Sequence, residues 1–135
     1  MDFAEALKYF SLGALLYNDS NCLYKLGDMY LYGYGTDKNE KYAYLLYERA
    51  RDRCLETDED GVCIADVQLR VGRCLLRGTG VKTDAERAHM LLSFALMNFY
   101  KRRNTDKYVL KSIENTKSLI AEAQELLDRE VSDYQ

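Results

Sequence analysis

Apolar residues recur at three- and four-residue steps along most of the chain, and polar or glycine-bearing breaks divide the pattern into helices. Between residues 3 and 17, Phe3, Ala6, Leu7, Phe10, Ala14 and Tyr17 mark one face. Asn18-Asp-Ser-Asn21 breaks that helix, and Asp19 or Ser20 is placed to cap the next. The second helix runs from about Asn21 to Tyr32, with Cys22, Leu26, Met29, Tyr30 and Gly33 inward. A third follows Asn39 and carries Ala43, Leu46, Tyr47, Ala50 and Cys54 on one face. The fourth, about Val62 to Arg77, buries Ile64, Val67, Val71, Cys74 and Leu75. Thr83-Asp-Ala-Glu86 has the capping-box pattern and opens the fifth. There Met90 to Met97 is apolar nearly all round, so the helix needs cover on more than one side. The cover is a sixth helix, about 106 to 131, capped by Thr105 or Asp106. Its Val109, Ile113, Thr116, Ile120, Ala123 and Leu127 alternate steps of four and three. A coiled-coil seam has that spacing, but the expected role is to seal the end of an array.

The array is visible as a repeat. Leu26-Gly-Asp-Met-Tyr-Leu-Tyr-Gly-Tyr-Gly35 returns 45 residues later as Val71-Gly-Arg-Cys-Leu-Leu-Arg-Gly-Thr-Gly80. The same offset carries Ala43 onto Ala88, Leu46 onto Leu91 and Ala50 onto Ala95. Gly33 and Gly35, with Gly78 and Gly80, are suited to the positive φ that ends a helix in a sharp turn. Gly27 and Gly72 lie mid-helix, where glycine costs about 1 kcal/mol against alanine. A closely approaching neighbour helix is the expected reason.

These residues resemble the Sel-one-like repeat, a relative of the tetratricopeptide repeat. The resemblance rests on Leu26-Gly27, Tyr30, the Gly33-x-Gly35 turn, Ala43, Tyr47 and Ala50, and on Gly72, Gly78, Gly80, Val81, Asp84, Ala88 and Ala95. The second copy departs with Val71 for the leucine, Cys74 near the tyrosine and Leu92 for the aromatic. The match covers residues 22 to 95, and residues 3 to 17 fit the second helix of a degenerate preceding repeat. The resemblance implies an all-α fold: a short right-handed solenoid of about two repeats, 22–54 and 63–99. A flanking N-terminal helix and a C-terminal capping helix complete a single domain over 1–135. It also implies a non-catalytic scaffold or adaptor for another protein or peptide. Secreted cysteine-rich members of the family staple each repeat with a disulfide. Here Cys22 stands near one such position, with Ala14 or Leu15 at the other, which favours the cytosol.

Composition narrows the function. Hydrophobic residues make up 47% and charged residues 30%, with a formal net charge of −3, so no global basic character points to nucleic acid. No apolar run reaches the ~20 residues of a membrane span. The N-terminus lacks the basic start and apolar core of a signal peptide. Cys22, Cys54, Cys63 and Cys74 show no C-x-x-C spacing and are expected as buried free thiols. No cofactor is implied. Glu56-Thr-Asp-Glu-Asp-Gly61 lacks the alternating ligands of a calcium loop and reads as a solvated loop. Gly78-Thr-Gly-Val-Lys-Thr83 follows a helix and lacks phosphate-loop spacing. Glu86 and His89 lack the second histidine of a di-iron pair of motifs.

What remains is a surface. Asp66, Arg70, Arg73 and Arg77 step by four, three and four along helix four and share a face. The 45-residue offset sets Asn21, Lys25, Asp28 and Tyr32 beside them. These eight residues are the expected partner-binding groove, with exposed arginines forking onto an acidic or C-terminal segment. Tyr32, Tyr34, Tyr42 and Tyr44 cluster at the adjoining turn and offer a second surface. The alternative is a regulatory module that takes a small ligand or nucleic acid through the arginine face and Lys101-Arg102-Arg103.

Overall fold

The computed structural model describes residues 2–57 and 63–133. Six helices follow in order: α1 (Phe3–Tyr17), α2 (Ser20–Tyr32), α3 (Glu40–Thr57), α4 (Ile64–Arg77), α5 (Ala85–Lys101) and α6 (Val109–Asp133). Among the described residues there is no strand. The expected loop at 56–61 lies outside the described residues from 58 onward, as does the expected start of α4 at Val62.

Most helix starts have a local side-chain cause; Cys63, before α4, makes no capping bond. Asp19, not Ser20, caps α2, its carboxylate accepting from the Cys22 N–H at 2.9 Å. Asn39 accepts from the Tyr42 N–H at 3.0 Å and opens α3. The capping box expected from Thr83 does not form. Asp84 is the cap, extended in backbone and accepting from the Arg87 N–H at 3.0 Å. A carboxylate there also favours the positive end of the helix dipole. Helix α6 begins three residues later than expected, because Asp106 turns the chain first by accepting from the Tyr108 N–H at 2.9 Å.

The two glycine turns are copies in hydrogen bonding as well as in sequence. Gly33 and Gly78 cap α2 and α4 at φ 73° and 72°. Asn39 N–H donates to Tyr30 O at 2.8 Å, and Asp84 N–H donates to Leu75 O at 2.9 Å. The second glycine of each turn presses on the helix before it. A Cβ on Gly35 would stand 2.9 Å from the Phe3 carbonyl oxygen, and one on Gly80 would overlap the Glu40 carbonyl. Helix α1 therefore stands to the first repeat as α3 stands to the second. The mid-helix glycines admit a neighbour as expected: a Cβ on Gly27 would meet the Tyr47 ring at 2.6 Å, and one on Gly72 the Leu92 side chain at 2.8 Å.

The helices pack as α2 on α3 and α4 on α5, with α1 on α2 and α3 on α4 joining the units, and α6 on α5. Leu23, Leu26, Tyr47, Val67, Val71, Leu91, Leu92 and Phe99 form the fully buried centre. Three expectations about faces are corrected. On α1 only Ala14 is fully buried, with Leu7 and Phe10 partly so, while Phe3 and Tyr17 are exposed. On α5 the cover is incomplete: α4 and α6 flank it, and Met90, Phe94 and Met97 remain an open stripe one turn apart. On α6 Leu119 is buried and Ile120 only partly so, because a straight helix drifts from a strict 3.5-residue seam. Thr116 is buried with its hydroxyl donating to Ser112 O at 2.6 Å.

The turns make different demands on their glycines. Replacing Gly33 by alanine adds a left-handed residue whose Cβ makes ordinary contacts with Thr36 and Lys38, with no clash, and is expected to cost about 1–2 kcal/mol. Gly80→Ala adds the same strain plus a clash with backbone that has no rotamer to escape into, for about 3–5 kcal/mol. Urea unfolding of the two variants checks the order. Equal losses would mean that the second turn does not touch α3.

Candidate partner-binding surface

The structure brings some of the eight expected residues together: Asp28 meets Arg70, Arg70 meets Asp66, and Tyr32 borders one cavity with Arg73 and Arg77, while Lys25 lies against Phe10. Several of them are engaged with one another. Arg70 forks onto Asp28, Nε to Oδ1 and Nη2 to Oδ2, both at 2.7 Å. The Tyr47 hydroxyl donates to the same Oδ1 at 2.6 Å. Arg70 also lies over the Tyr24 ring at 4.5 Å and donates to Asp66 O at 3.0 Å. Burial works against its charge, but the bonds to Asp28 outweigh it and hold the pKa above the ordinary guanidinium value. Burial, then the Asp28 charge, likewise pushes the Tyr47 phenol up. The exposed Arg70 expected from the sequence is thus corrected. Two rows that share a surface also face each other, and unlike charges across the seam pair.

Asp66 is engaged as well. Its Oδ2 accepts from Arg102 at 3.1 Å, and Arg102 reaches on to Asp106 at 2.8 Å. That tie fixes the junction of α5 and α6 to the start of α4. A backbone bond from Tyr108, then Arg102, lowers the Asp106 pKa. Asn21 is exposed, and the Lys25 ammonium sits 5.8 Å from the centre of the Phe10 ring.

The arginines that remain border a cavity. Leu31, Tyr32, Lys38, Glu40, Arg73, Cys74, Arg77 and Thr79 line about 210 Å³ between the ends of α2 and α4. Lys38 pairs with Glu40 at 3.2 Å, and Arg77 approaches Glu122 of α6 at 3.6 Å with both side chains half exposed. Arg73 has no ion pair or hydrogen bond with any described residue. Tyr32, 51% exposed, stacks near Tyr34, which stacks on Phe3 with ring centres 4.8 Å apart. The arginine row and the tyrosine turn are therefore one surface joined at Tyr32. Tyr44 does not belong to it: it is buried and donates to Glu48 at 2.6 Å, and Arg87 of α5 meets that same Glu48. Tyr42 packs edge-on against Tyr30.

The cysteines divide. All four are free. Cys22 and Cys74 are buried, and burial pushes each up to about 11. Gly13 lies against the Cys22 side chain. Cys54 and Cys63 are only half buried and in contact, Sγ to Sγ 3.0 Å, with Ser20 Oγ 3.2 Å from Cys63. The Cys54 thiol, then Ser20, lowers Cys63 to about 6 against the opposing effect of burial. Sequence reasoning passed over this pair, whose signal was two cysteines at facing ends of consecutive helices. Among the described residues no three metal-ligating side chains converge, and no helix is long and apolar enough to cross a membrane.

Helix pairs stacked through repeated glycine turns define an α-solenoid. The Sel1 repeat family matches residues 2–18, 20–53 and 65–98, well over half of the chain. The chain belongs to that family. No significantly similar sequence was found among curated proteins. The crystal structure of c5321, a protective antigen of uropathogenic Escherichia coli strains displaying an SLR fold, superposes with a TM-score of 0.57 at 19% identity. That match covers 97% of this chain and 26% of the antigen, so the chain spans about a quarter of its length.

Asp28→Asn removes one partner of the fork while Arg70 and Tyr47 stay buried. It is expected to cost about 2–3 kcal/mol in chemical denaturation, and a neutral result would remove the fork from the fold's supports. Alkylation checks the thiols. Cys63 is expected to label first at pH 7, with a rate that falls as pH drops through about 6 while Cys22 and Cys74 stay slow. Equal rates at all four would refute the assignment.

Proposed function

We propose that this chain is a non-catalytic adaptor, in keeping with the protein–protein interaction that Sel1 repeats generally mediate. It holds an acidic segment or terminal carboxylate of another protein over the cavity at Tyr32, Arg73 and Arg77. The observation that carries this reading is Arg73: in a row whose other charges meet carboxylates or a ring, it has no partner among the described residues. A guanidinium beside an accessible tyrosine suits a planar anion. Asn21 and Lys25 extend the surface along α2. Asp28, Asp66 and Arg70 shape it, with their charges committed to internal pairs.

The nucleic-acid alternative is weaker, because Arg70 and Arg102 from its basic face are spent on Asp28 and Asp66.

A pull-down from the host proteome, followed by titration of the captured protein, tests the reading. Arg73→Ala is expected to weaken binding by about tenfold or more, with no loss of stability. Lys107→Ala/Lys111→Ala/Lys117→Ala, on exposed residues elsewhere, is the charge control. Equal weakening by both would leave only general attraction. Collapse of binding between low and moderate salt, with nucleic acid in the captured material, would favour the alternative.

A further inference from the structure

We propose that α1 is a self-association surface, and that two copies of this chain join through it as a closed two-fold dimer. The face of α1 turned away from α2 carries Tyr9, Leu12, Leu15 and Leu16, which are 57–70% exposed. The inward face is already supplied by Leu7, Phe10 and Ala14. Helix α1 is apolar on both sides, and a helix of that kind is covered on both. The Gly35 contact with Phe3 puts α1 in the place that α3 holds in the next unit. Among the described residues α3 packs on both α2 and α4, and α1 packs on α2.

The opposite end of the molecule decides what kind of second copy fits. Helix α6 is buried along Val109, Ile113, Thr116, Leu119 and Ala123, and its other side presents Lys111, Glu114, Glu125 and Arg129 to solvent. Head-to-tail stacking would bury those charges against leucine and tyrosine, which is costly. The open face therefore pairs with its own copy, and such an interface closes at two. Charge does not oppose it. Glu5 and Lys8 are the charged residues on this face and are of opposite sign. Run antiparallel about an axis near Leu12, Leu12 lies against its own copy and Tyr9 against Leu15 or Leu16. Four large, mostly exposed side chains give roughly 500 Å² per copy, so about 1,000 Å² in all, the lower edge of specific interfaces. The dimer is accordingly weak, with a Kd on the order of 1–100 μM. It would place two Arg73 cavities on one particle, although the inference does not rest on their role.

Sedimentation equilibrium of the purified chain up to about 500 μM, well above that Kd, tests it. The mass is expected to rise from 15.7 kDa with concentration and level off at twice that value. Leu12→Arg and Leu16→Arg, made separately, are expected to stay at the monomer mass with unchanged helical circular dichroism. Leu110→Arg, at a similarly exposed position on α6, is expected to leave the dimer intact. A monomer throughout overturns the proposal, as does a mass that climbs past twofold, or a dimer that survives Leu12→Arg. Should the arginine variants lose their fold, hydrogen exchange of the unmodified chain decides. Protection that grows with concentration in α1 supports the interface; growth elsewhere and not in α1 removes it.

Discussion

The carbonyl oxygen of Glu40 lies where a side chain on Gly80 would begin, and that of Phe3 stands in the same relation to Gly35. Main chain rests on main chain at both places. Backbone cannot change rotamer, so this contact fixes the distance and angle between successive units more firmly than side-chain packing does. Side chains at equivalent positions are then free to differ. Tyr47 fills the space over Gly27 and Leu92 the space over Gly72, with no change in the turn that follows. The hydrogen bonds that close the turns, Asn39 to Tyr30 and Asp84 to Leu75, keep the offset of the glycines.

With the backbones set, α2 and α4 lie at a spacing that lets Arg70 reach Asp28 with two bonds and no slack. The fork also recruits Tyr47 from α3, so one carboxylate ties three helices. A buried pair of this kind adds less net stability than its short bonds suggest, because both ions leave water. Its clearer effect is on the surface. Asp28 and Asp66 are neutralised in place, Arg77 approaches Glu122, and the positive charge without a partner among the described residues is that of Arg73, beside Tyr32.

The repeat, the turns and the helix order were legible because each rests on local chemistry: glycine at positive φ, aspartate or asparagine at a helix start, apolar steps of three and four. The surface was legible as a row but not as a set of partners. A helical face says which residues share a side; it does not say what stands opposite. Asp28 and Arg70 are 42 residues apart, and only the relative placement of α2 and α4 reveals that they meet. Setting an acid on one row beside arginines on the next was the available hint. The Cys54–Cys63 contact escaped for the same reason, since spacing rules for thiols look within one segment. On α1 the second stripe of Tyr9, Leu12 and Leu16 was in the sequence at steps of three and four, but the inward stripe alone accounted for a helix.

The outer faces of α1 and α6 differ in kind. A solenoid unit buries its apolar face on its neighbours, so an end must either turn polar or meet something. Helix α6 takes the first course, with lysine, glutamate and arginine along its outer side. Helix α1 does not. The family match reflects the asymmetry, since residues 2–18 cover one helix where 20–53 and 65–98 each cover a pair. Four leucine and tyrosine side chains left in water on one helix face weaken nothing within the fold, because no internal contact depends on them. They do lower the free energy of any apolar helix that covers them. Such a surface selects by complementarity of pattern. The pattern that the molecule itself supplies, apolar with one acid and one base, is that of α1.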